Sequence, residues 1–381
     1  MYRNSCELCV LSCEQKRYGS KPTTQNSQLA LLQSCPASRL PRCINPRWAW
    51  PASHAVLDLS VEILDLRHFS SSDLRPLLDE EAQLWSKLLA WDYSGSAEMI
   101  LRYIDARILP GYAALEKGRI CGYSFFVYEG SKGVIGDLFV EGDGVRYASP
   151  IEHPVETRLL THVIETLQQS PGIHRIEAQL LVHPTGAVAR PFLEDGFHRH
   201  PRLFMVLPLA SSATNGQDRL LSVPEGIDIR RWSEQDYQAA AAVITAAYRG
   251  HIDSEINDQY RTIAGSLRFL NNIVRFPGCG QFDGGSSFIA YHRPSRTAVG
   301  LILCSRVKND VGHITQVCVL PEHRGKGIGE ALLAANLQDL KRRRFSMLSL
   351  TVTEANKSAV ELYKRLGYHI ERVFDAFVWE G

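Results

Sequence analysis

The sequence lacks the features that mark several classes of protein. It has no run of the roughly 18 to 20 apolar residues needed to cross a bilayer, and its N-terminus has no apolar core long enough for a secretory signal. It also lacks an excess of charge of one sign, since 42 Lys and Arg residues balance 41 Asp and Glu residues. These absences predict a cytoplasmic protein that has neither a membrane nor a nucleic acid as its partner.

Paired metal-binding motifs are also missing. Five of the nine cysteines lie within the first 43 residues, and the other four are scattered singly among apolar neighbours. Isolated thiols of that kind pack as small hydrophobic groups in a reducing compartment. Cys6, Cys9 and Cys13 have a spacing that zinc or an iron–sulfur cluster could use, but no second pair supplies a fourth ligand. We therefore expect no metal site.

The composition itself is that of an ordinary globular protein. Of the 381 residues, 45% are hydrophobic and 22% are charged, which is enough to build two domains. Residues 1–55 mix Ser, Gln, Asn, Pro and Arg without a sustained period of 2 or 3.6. That segment is predicted to be either disordered or an extension that arises from a start site placed too far upstream.

The order of the predicted elements occurs twice. A strand, two helices, three strands, a helix, a strand, a short helix and a last strand fill residues 61–210, and the same order fills residues 226–381 after a polar linker at 211–225. Matching positions in the two copies are Gly122 and Gly300, Val140 and Val319, and Gly196 and Gly367. We therefore predict two tandem copies of one α/β fold. In the second copy, the pattern predicts one continuous helix over Glu255–Arg275.

A glycine-rich turn is the sharpest local signal of the second copy. A strand that includes Val317–Leu320 is followed by the turn Arg324–Gly329, and a helix begins near Ile328 with apolar residues at i, i+3, i+4 and i+7. The N–H groups of the turn and the positive end of the helix would converge on a pyrophosphate, which Gly327 and Gly329 would allow to approach closely. The glycine spacing fits neither the dinucleotide-binding fingerprint nor the P-loop.

This Arg-x-x-Gly-x-Gly turn, following a Val-x-Val-x-Pro strand, resembles the acetyl-CoA loop of the GCN5-related N-acetyltransferase (GNAT) superfamily. Downstream, Asn356, the Leu362-Tyr363 pair and the Gly367-Tyr368 pair match further motifs of the superfamily in the right order. The resemblance covers most of residues 227–379. It implies that each copy has a mixed central sheet of about six to seven strands flanked by helices, and it does not specify the acceptor.

The resemblance also implies a role for each matched residue. The strand should splay from its neighbour, so that free backbone amides, above all that of Val319, pair with pantetheine and polarise the thioester carbonyl. Asn356 would line the pantetheine path, and Tyr363 would protonate the departing thiolate. The residues expected to hold acetyl-CoA are Val317, Cys318, Val319, Arg324, Gly325, Lys326, Gly327, Ile328, Gly329 and Asn356.

Simpler interpretations compete with these roles. Tyr363 falls on the apolar stripe of its helix and could be a core residue, and Asn356 could be the N-cap of that helix. Two residues are candidates for the base that deprotonates the amine. His313 could face the cleft or lie at a solvent-facing strand end, and Glu354 could be the base or only a helix-dipole partner. The segment Tyr248–Tyr260, which carries several acidic residues, is predicted to set acceptor specificity.

The first copy has lost the matching groups. Aligning Gly196 with Gly367 puts Phe192 where the second copy has Tyr363, and Thr185 where it has Asn356. The segment after Val140 is longer and acidic, which disfavours an anion. We therefore expect no catalysis by this copy, and three roles remain open: it could complete a shared sheet, cover the acceptor cleft or keep a weak ligand site.

The leading hypothesis is an enzyme that transfers acetyl from acetyl-CoA to a primary amine by direct attack in a ternary complex. The acceptor would be a small molecule or a peptide, and the protein a monomer or homodimer. The alternative is a noncatalytic module that binds acetyl-CoA.

Overall fold

The computed structural model describes residues 61–142, 146–209, 223–275 and 280–381. The predictions for residues 1–55 and their cysteines lie outside the described residues, as does most of the predicted linker. We call residues 61–209 the first copy and residues 223–381 the second copy. The exact domain boundaries stay a prediction.

The first copy contains six strands and four α-helices. Its strands are β1 (Val61–Asp65), β2 (Gly111–Glu116), β3 (Arg119–Glu129), β4 (Lys132–Val140), β5 (Arg175–Gln179) and β6 (His198–Pro208). Its helices are α1 (Ser71–Leu89), α2 (Ser94–Asp105), α3 (Pro154–Gln169) and α4 (Ala189–Glu194). Short 3₁₀ turns occupy Leu66–His68 and Arg146–Ala148.

The second copy repeats that order. Its strands are β7 (Ile227–Arg231), β8 (Gln281–Phe282), β9 (Phe288–His292), β10 (Thr297–Lys308), β11 (Val311–Val319), β12 (Met347–Thr353) and β13 (His369–Glu380). Its helices are α5 (Tyr237–Ala247), α6 (Asp253–Ile256), α7 (Ile263–Val274), α8 (Ile328–Arg342) and α9 (Lys357–Arg365). The 3₁₀ turns are Glu234–Asp236, Asp258–Arg261 and Pro321–His323.

All strands join one mixed sheet, in which the two copies exchange their last strands. The order is β1-β2-β3-β4-β5-β13-β6-β12-β11-β10-β9-β7, with β8 paired to β10. The last strand of the first copy, β6, therefore pairs with β12 of the second copy, while β13 pairs with β5 of the first. The two exchanged strands also pair with each other. Each copy thus depends on the other to complete its sheet.

The register confirms the duplication. Gly122 lies opposite Val140 across β3 and β4, and Gly300 lies opposite Val319 across β10 and β11. In each copy the next strand pair, β4–β5 or β11–β12, is parallel. Helices cover both faces of the sheet and bury four apolar clusters against it. The predicted α/β class with tandem copies is therefore confirmed.

The single helix predicted over Glu255–Arg275 is wrong. The structure divides this segment between the end of α6, a 3₁₀ turn and α7. Two side chains interrupt the helical pattern: Asn257 accepts a hydrogen bond from Gln259 N–H, and Thr262 accepts one from Gly265 N–H. Such short polar side chains stop and restart helices by bonding local backbone groups. The break places this segment against the site described below.

Glu156 gives the fold a pH dependence that can be measured. It is 2% exposed in the first turn of α3, and burial raises the pKa of its carboxyl to about 7. Because the folded state holds this proton more tightly than the unfolded chain, its contribution to stability is present at low pH and falls between about pH 4.5 and 7. Glu156→Gln should abolish that fall, which amounts to roughly 3 kcal/mol.

Urea unfolding at pH 5 and pH 8 measures the effect. Glu152→Gln is the contrasting variant: the Arg190 guanidinium lowers the pKa of Glu152, so the stability that this carboxylate contributes is lost as the pH falls rather than as it rises. If Glu156→Gln leaves the pH profile of unfolding unchanged, Glu156 does not titrate in this range.

Candidate active site

A gap opens in the sheet between β11 and β12. The two strands pair in parallel only from Val311 to Ile314 and from Met347 to Leu350. At that point Thr315 is an extra residue relative to β10, because Ile314 lies opposite Cys304 and Gln316 lies opposite Leu303. A bulge of this kind bends its strand, which accounts for the separation of β11 from β12 beyond Ile314. The splay expected from the resemblance is therefore present.

Backbone amides of β11 point into this gap. Leu320 N–H donates to Val299 O on β10 at 2.9 Å. Because amides alternate in direction along a strand, the N–H groups of Val317 and Val319 point away from β10 and into the gap. Val317 N–H is occupied by the side-chain oxygen of Gln316, at 3.1 Å. Within the described part of the chain, no group accepts a hydrogen bond from Val319 N–H. Val319 is therefore placed as an oxyanion donor would be.

The turn Arg324–Gly329 lies beyond the end of β11. Gly325 and Gly327 have φ of 71° and 78°, a region that favours glycine, and α8 begins at Ile328. The amides of the first turn of this fifteen-residue helix have no intrahelical acceptors, and Lys326 is exposed beside them. Gly329 has an ordinary helical conformation. The turn therefore has the N–H groups and the charge that an anion would need.

Arg324 has a structural task in addition to its charge. Its Nε donates to Val319 O at 3.2 Å, and its Nη2 donates to Ala247 O, at 2.5 Å, at the end of α5. The side chain thereby ties β11 to α5. Because the guanidinium is already bonded to two carbonyls, the backbone amides and Lys326 are the more available groups for a phosphate.

Tyr363 and Asn356 reach the gap from α9. Both line a cavity of about 860 Å³ that also borders Val317. Burial, with a further contribution from Asp253, raises the pKa of Tyr363 well above its ordinary value, so the hydroxyl keeps its proton at neutral pH. Tyr363 belongs to the apolar core as well, and Asn356 is the N-cap of α9 through a bond from Ala359 N–H at 3.3 Å. Tyr363 is therefore a core residue and Asn356 a helix cap, and both also border the cavity.

Neither residue predicted as the base lies on the cavity. His313 is 4% exposed, bonds Ser349 Oγ at 2.9 Å and packs against Trp91, with the two ring centroids 4.8 Å apart. It neither faces the cleft nor lies at a solvent-facing strand end, so both expectations for it are wrong. Its side chain shares a face with Phe204 and Trp91, which cover it. Glu354 is at the surface, 3.7 Å from Lys357, where it cannot reach the cavity interior.

A different carboxylate borders the cavity near Tyr363. Asp253, at the start of α6, accepts a hydrogen bond from Thr353 Oγ1 and lies 3.4 Å from His251 Nδ1. His251 Nε2 is in turn 3.3 Å from Asn356 Nδ2. Sequence reasoning put both residues in the specificity segment and gave neither of them a catalytic role. The interrupting side chain of Asn257 was the signal that could have pointed to them, because it ends α6 at this place.

Cysteine chemistry is not supported at this site. Cys318 is 8% exposed, and burial raises the pKa of its thiol to about 12. It is therefore a protonated core residue rather than a nucleophile. Among the residues that the structure describes, no group of three His, Cys, Asp or Glu side chains is arranged to hold a metal ion.

Both copies form the walls of the cavity. Trp85, Tyr93 and Asp137 of the first copy line it opposite Tyr248 and Tyr260 of the second. The stacked pair Trp85–Tyr93, with centroids 4.6 Å apart, is matched by the stacked pair Tyr248–Tyr260 at 4.5 Å. The first copy thus covers the open side of the second.

In the first copy, the position of Tyr363 is filled by a core residue. Phe192 is fully buried and stacks on Phe377 of β13, with ring centroids 4.0 Å apart. Part of the segment after Val140, residues 143–145, lies outside the described residues. No helix within the described ranges combines the length and apolar character required to cross a membrane.

The fold and the site together define a class: an α/β protein with two interlocked copies of one fold, of which the second has splayed strands, a glycine-rich turn at a helix start and a tyrosine at the gap. Comparison with known sequences agrees. The sequence model of the Acetyltransferase (GNAT) family matches residues 256–368. The second copy therefore contains a domain that matches the GNAT family, within a chain that carries two copies of one fold.

Individual relatives match different lengths of the chain. The chain is 26% identical to a mycothiol acetyltransferase from Streptomyces avermitilis over 72% of this chain and 88% of that protein. It is also 26% identical to a mycothiol acetyltransferase from Renibacterium salmoninarum, over 54% of this chain and only 58% of that protein. A GCN5-related N-acetyltransferase from Sphaerobacter thermophilus has a similar fold, with a TM-score of 0.55 at 18% identity, over 84% of this chain and 96% of that one.

Proposed function

We propose that the protein transfers the acetyl group of acetyl-CoA to a primary amine, in a ternary complex, at the gap in the second copy. The observation that carries the proposal is the opening between β11 and β12. Two features support it: the unpaired Val319 N–H lies at one edge of this opening, and Tyr363 borders the adjoining cavity. Acetyl transfer from a thioester needs both groups: a donor for the developing oxyanion and an acid for the leaving thiolate.

The cosubstrate would lie along the gap. Its diphosphate would meet the amides at the start of α8 and Lys326, and its pantetheine would run past Val317 and Asn356. The thioester would then reach Val319 N–H. The match of residues 256–368 to the Acetyltransferase (GNAT) family supports this arrangement.

The chemical step is a direct displacement. The amine nitrogen forms a bond to the carbonyl carbon of the thioester, and the oxygen takes the negative charge beside Val319 N–H. The carbon–sulfur bond then breaks, and the thiolate takes the hydroxyl proton of Tyr363. Asp253, which borders the cavity beside His251, would accept the proton that the amine must lose.

Purified full-length protein tests the function directly. It would be mixed with acetyl-CoA and a panel of amines, and the release of free thiol would be followed. We expect turnover with at least one amine. Tight binding of acetyl-CoA without thiol release for any amine would instead support the alternative, a noncatalytic module that binds acetyl-CoA.

The glycine-rich turn gives a separate prediction for binding. Gly327→Ala puts a Cβ on a residue whose φ is 78°. If the turn keeps its shape, the strain costs about 1–2 kcal/mol; if the strain is relieved, the turn changes shape. The dissociation constant for acetyl-CoA should rise at least tenfold, as measured by calorimetry.

Gly226→Ala is the matched control for that measurement. Gly226 has a φ of 76° with open space around it, so the strain is the same, but the residue lies in the turn before β7 rather than at the start of α8. The affinity of the Gly226→Ala protein for acetyl-CoA should equal that of the wild type. Equal affinity in Gly327→Ala would show that the turn does not hold the cosubstrate.

A further inference from the structure

Arg202 is a cation without a counter-ion on the wall of the cavity. It belongs to the exchanged strand β6 and is half-buried. Its Nη1 donates to the neutral side chain of Gln179 at 3.1 Å, and its buried Nε has no acceptor. Within the described ranges, Arg202 forms an ion pair with no carboxylate. Lys132, on the same cavity, contrasts with it, since three carboxylates surround that ammonium group.

Two neutral donors on the same cavity also lack acceptors. Trp91 Nε1 and Gln316 Nε2 belong to side chains that are 6% and 5% exposed. Among the described residues, neither nitrogen has an acceptor at full hydrogen-bond geometry, and the Gln316 side chain interacts with the neutral hydroxyl of Tyr260. The orientation of the Gln316 amide is fixed, because its oxygen accepts bonds from Tyr248 OH at 2.7 Å and from Val317 N–H. A buried donor left unsatisfied costs about 1–3 kcal/mol.

Shared neighbours connect the three donors on the cavity wall. The ring of Trp91 packs on His313, and burial, together with the charge of Arg202, lowers the pKa of His313 to about 3. Gln316 bonds Tyr248, which stacks on Tyr260, and the charge of Arg202 also acts on Tyr260. A guanidinium and two N–H groups without acceptors are complementary to ligand oxygens that carry negative charge.

The anionic group would lie close to the reacting amine. Arg202 is directly opposite Thr353 in the sheet, so the two side chains share a face at a Cα separation of about 5 Å. Thr353 Oγ1 donates to Asp253, the carboxylate placed for the amine. The positive Arg202 and the negative Asp253 are thus neighbours. This arrangement is complementary to a molecule whose ammonium and anionic groups are a few bonds apart.

We propose that the acceptor is an amino acid, whose carboxylate is bound by Arg202 with Trp91 and Gln316. This inference rests on the proposed function and adds the substrate class. Arg202 and Trp91 come from the first copy, so the copy that lacks the catalytic tyrosine supplies acceptor recognition. A carboxylate is the group whose planar pair of oxygens matches the fork of an arginine.

Thiol release with paired acceptors tests the inference. Each amino acid of a panel would be compared with its amide, at saturating acetyl-CoA. For the wild type we expect kcat/KM to favour the free carboxylate at least 30-fold. Arg202→Gln should lower kcat/KM at least tenfold for the carboxylate and leave the amide, as well as the KM for acetyl-CoA, unchanged. Arg202→Lys should recover part of the loss.

Arg199→Gln is the matched control, because Arg199 lies on the same strand but pairs with Asp375 at 3.0 Å away from the cavity lining. Its kinetics should equal those of the wild type. Three results would overturn the inference. They are an equal loss of kcat/KM for the amino acid and its amide in Arg202→Gln, a rise in the KM for acetyl-CoA in that variant, and wild-type turnover only with amines that lack a carboxylate.

A readout without turnover separates this inference from the proposed function. In a thermal-shift assay, the amino acids should raise the Tm of the wild type more than their amides do, and Arg202→Gln should remove the difference. Absence of thiol release with every amine would refute the proposed function while this assay still reported on the carboxylate site. No difference in Tm and no preference in turnover would refute the inference alone.

Discussion

Tyr363→Phe is expected to lower kcat for acetyl transfer by about 10²–10⁴-fold while leaving the affinity for acetyl-CoA unchanged. The substitution removes one hydroxyl from a side chain that is 6% exposed and borders both the cavity and the strand gap. A thiolate that departs without a proton is a poorer leaving group, so the loss should appear in the chemical step. Single-turnover thiol release and calorimetry with acetyl-CoA measure the two quantities separately.

Tyr368→Phe is the matched control for this experiment. Tyr368 is 3% exposed, its ring centroid is 5.8 Å from that of Tyr363, and its hydroxyl has no hydrogen-bond partner among the described residues. It does not line the cavity. Its variant should keep wild-type kcat, because the lost hydroxyl satisfies no acceptor. Full activity in Tyr363→Phe would show that the thiolate receives its proton elsewhere.

Phe377→Ala is expected to lower the free energy of unfolding by about 3–5 kcal/mol. Phe377 lies on β13, at the end of the chain, yet its ring is fully buried in the apolar cluster of the first copy and stacks on Phe192. Because β13 belongs to the second copy but pairs with β5 and β6 of the first, the loss should appear as one shifted transition in urea, followed by circular dichroism.

Ile370→Ala is the control on the same strand. Ile370 is 43% exposed, so its truncation should change the unfolding free energy by less than about 1 kcal/mol. Two separate transitions, with only that of the first copy shifted by Phe377→Ala, would mean that the exchanged strand does not couple the copies.

The local parts of the fold and site were accessible from the sequence. Apolar period and glycine position depend on neighbours along the chain, which is why the duplication, the turn at Arg324–Gly329 and the start of α8 at Ile328 were predicted. The offset between Gly122 and Gly300 corresponds to matching strands with the same register. The element boundaries differ mostly by a few residues, as expected from pattern alone.

The features that were missed depend on contacts between distant segments. Strand exchange leaves no mark in β6 or β13, since an apolar strand has the same pattern whichever copy it completes. The burial of His313 follows from Trp91 and Phe204, more than 100 residues away in the sequence. Arg202 likewise became a candidate only when β6 was seen beside β12. Periodicity identifies an element, but it does not identify its neighbour.

The strand exchange also constrains how the protein is made. On the ribosome the first copy emerges before β13, so the edge of β5 stays unpaired until residues 369–380 have been synthesised. Domains of most proteins fold as they emerge, N-terminal domain first. Here the nascent chain keeps an open strand edge, a template for unwanted pairing, until β13 has emerged. Completion of the first copy therefore depends on synthesis of the second.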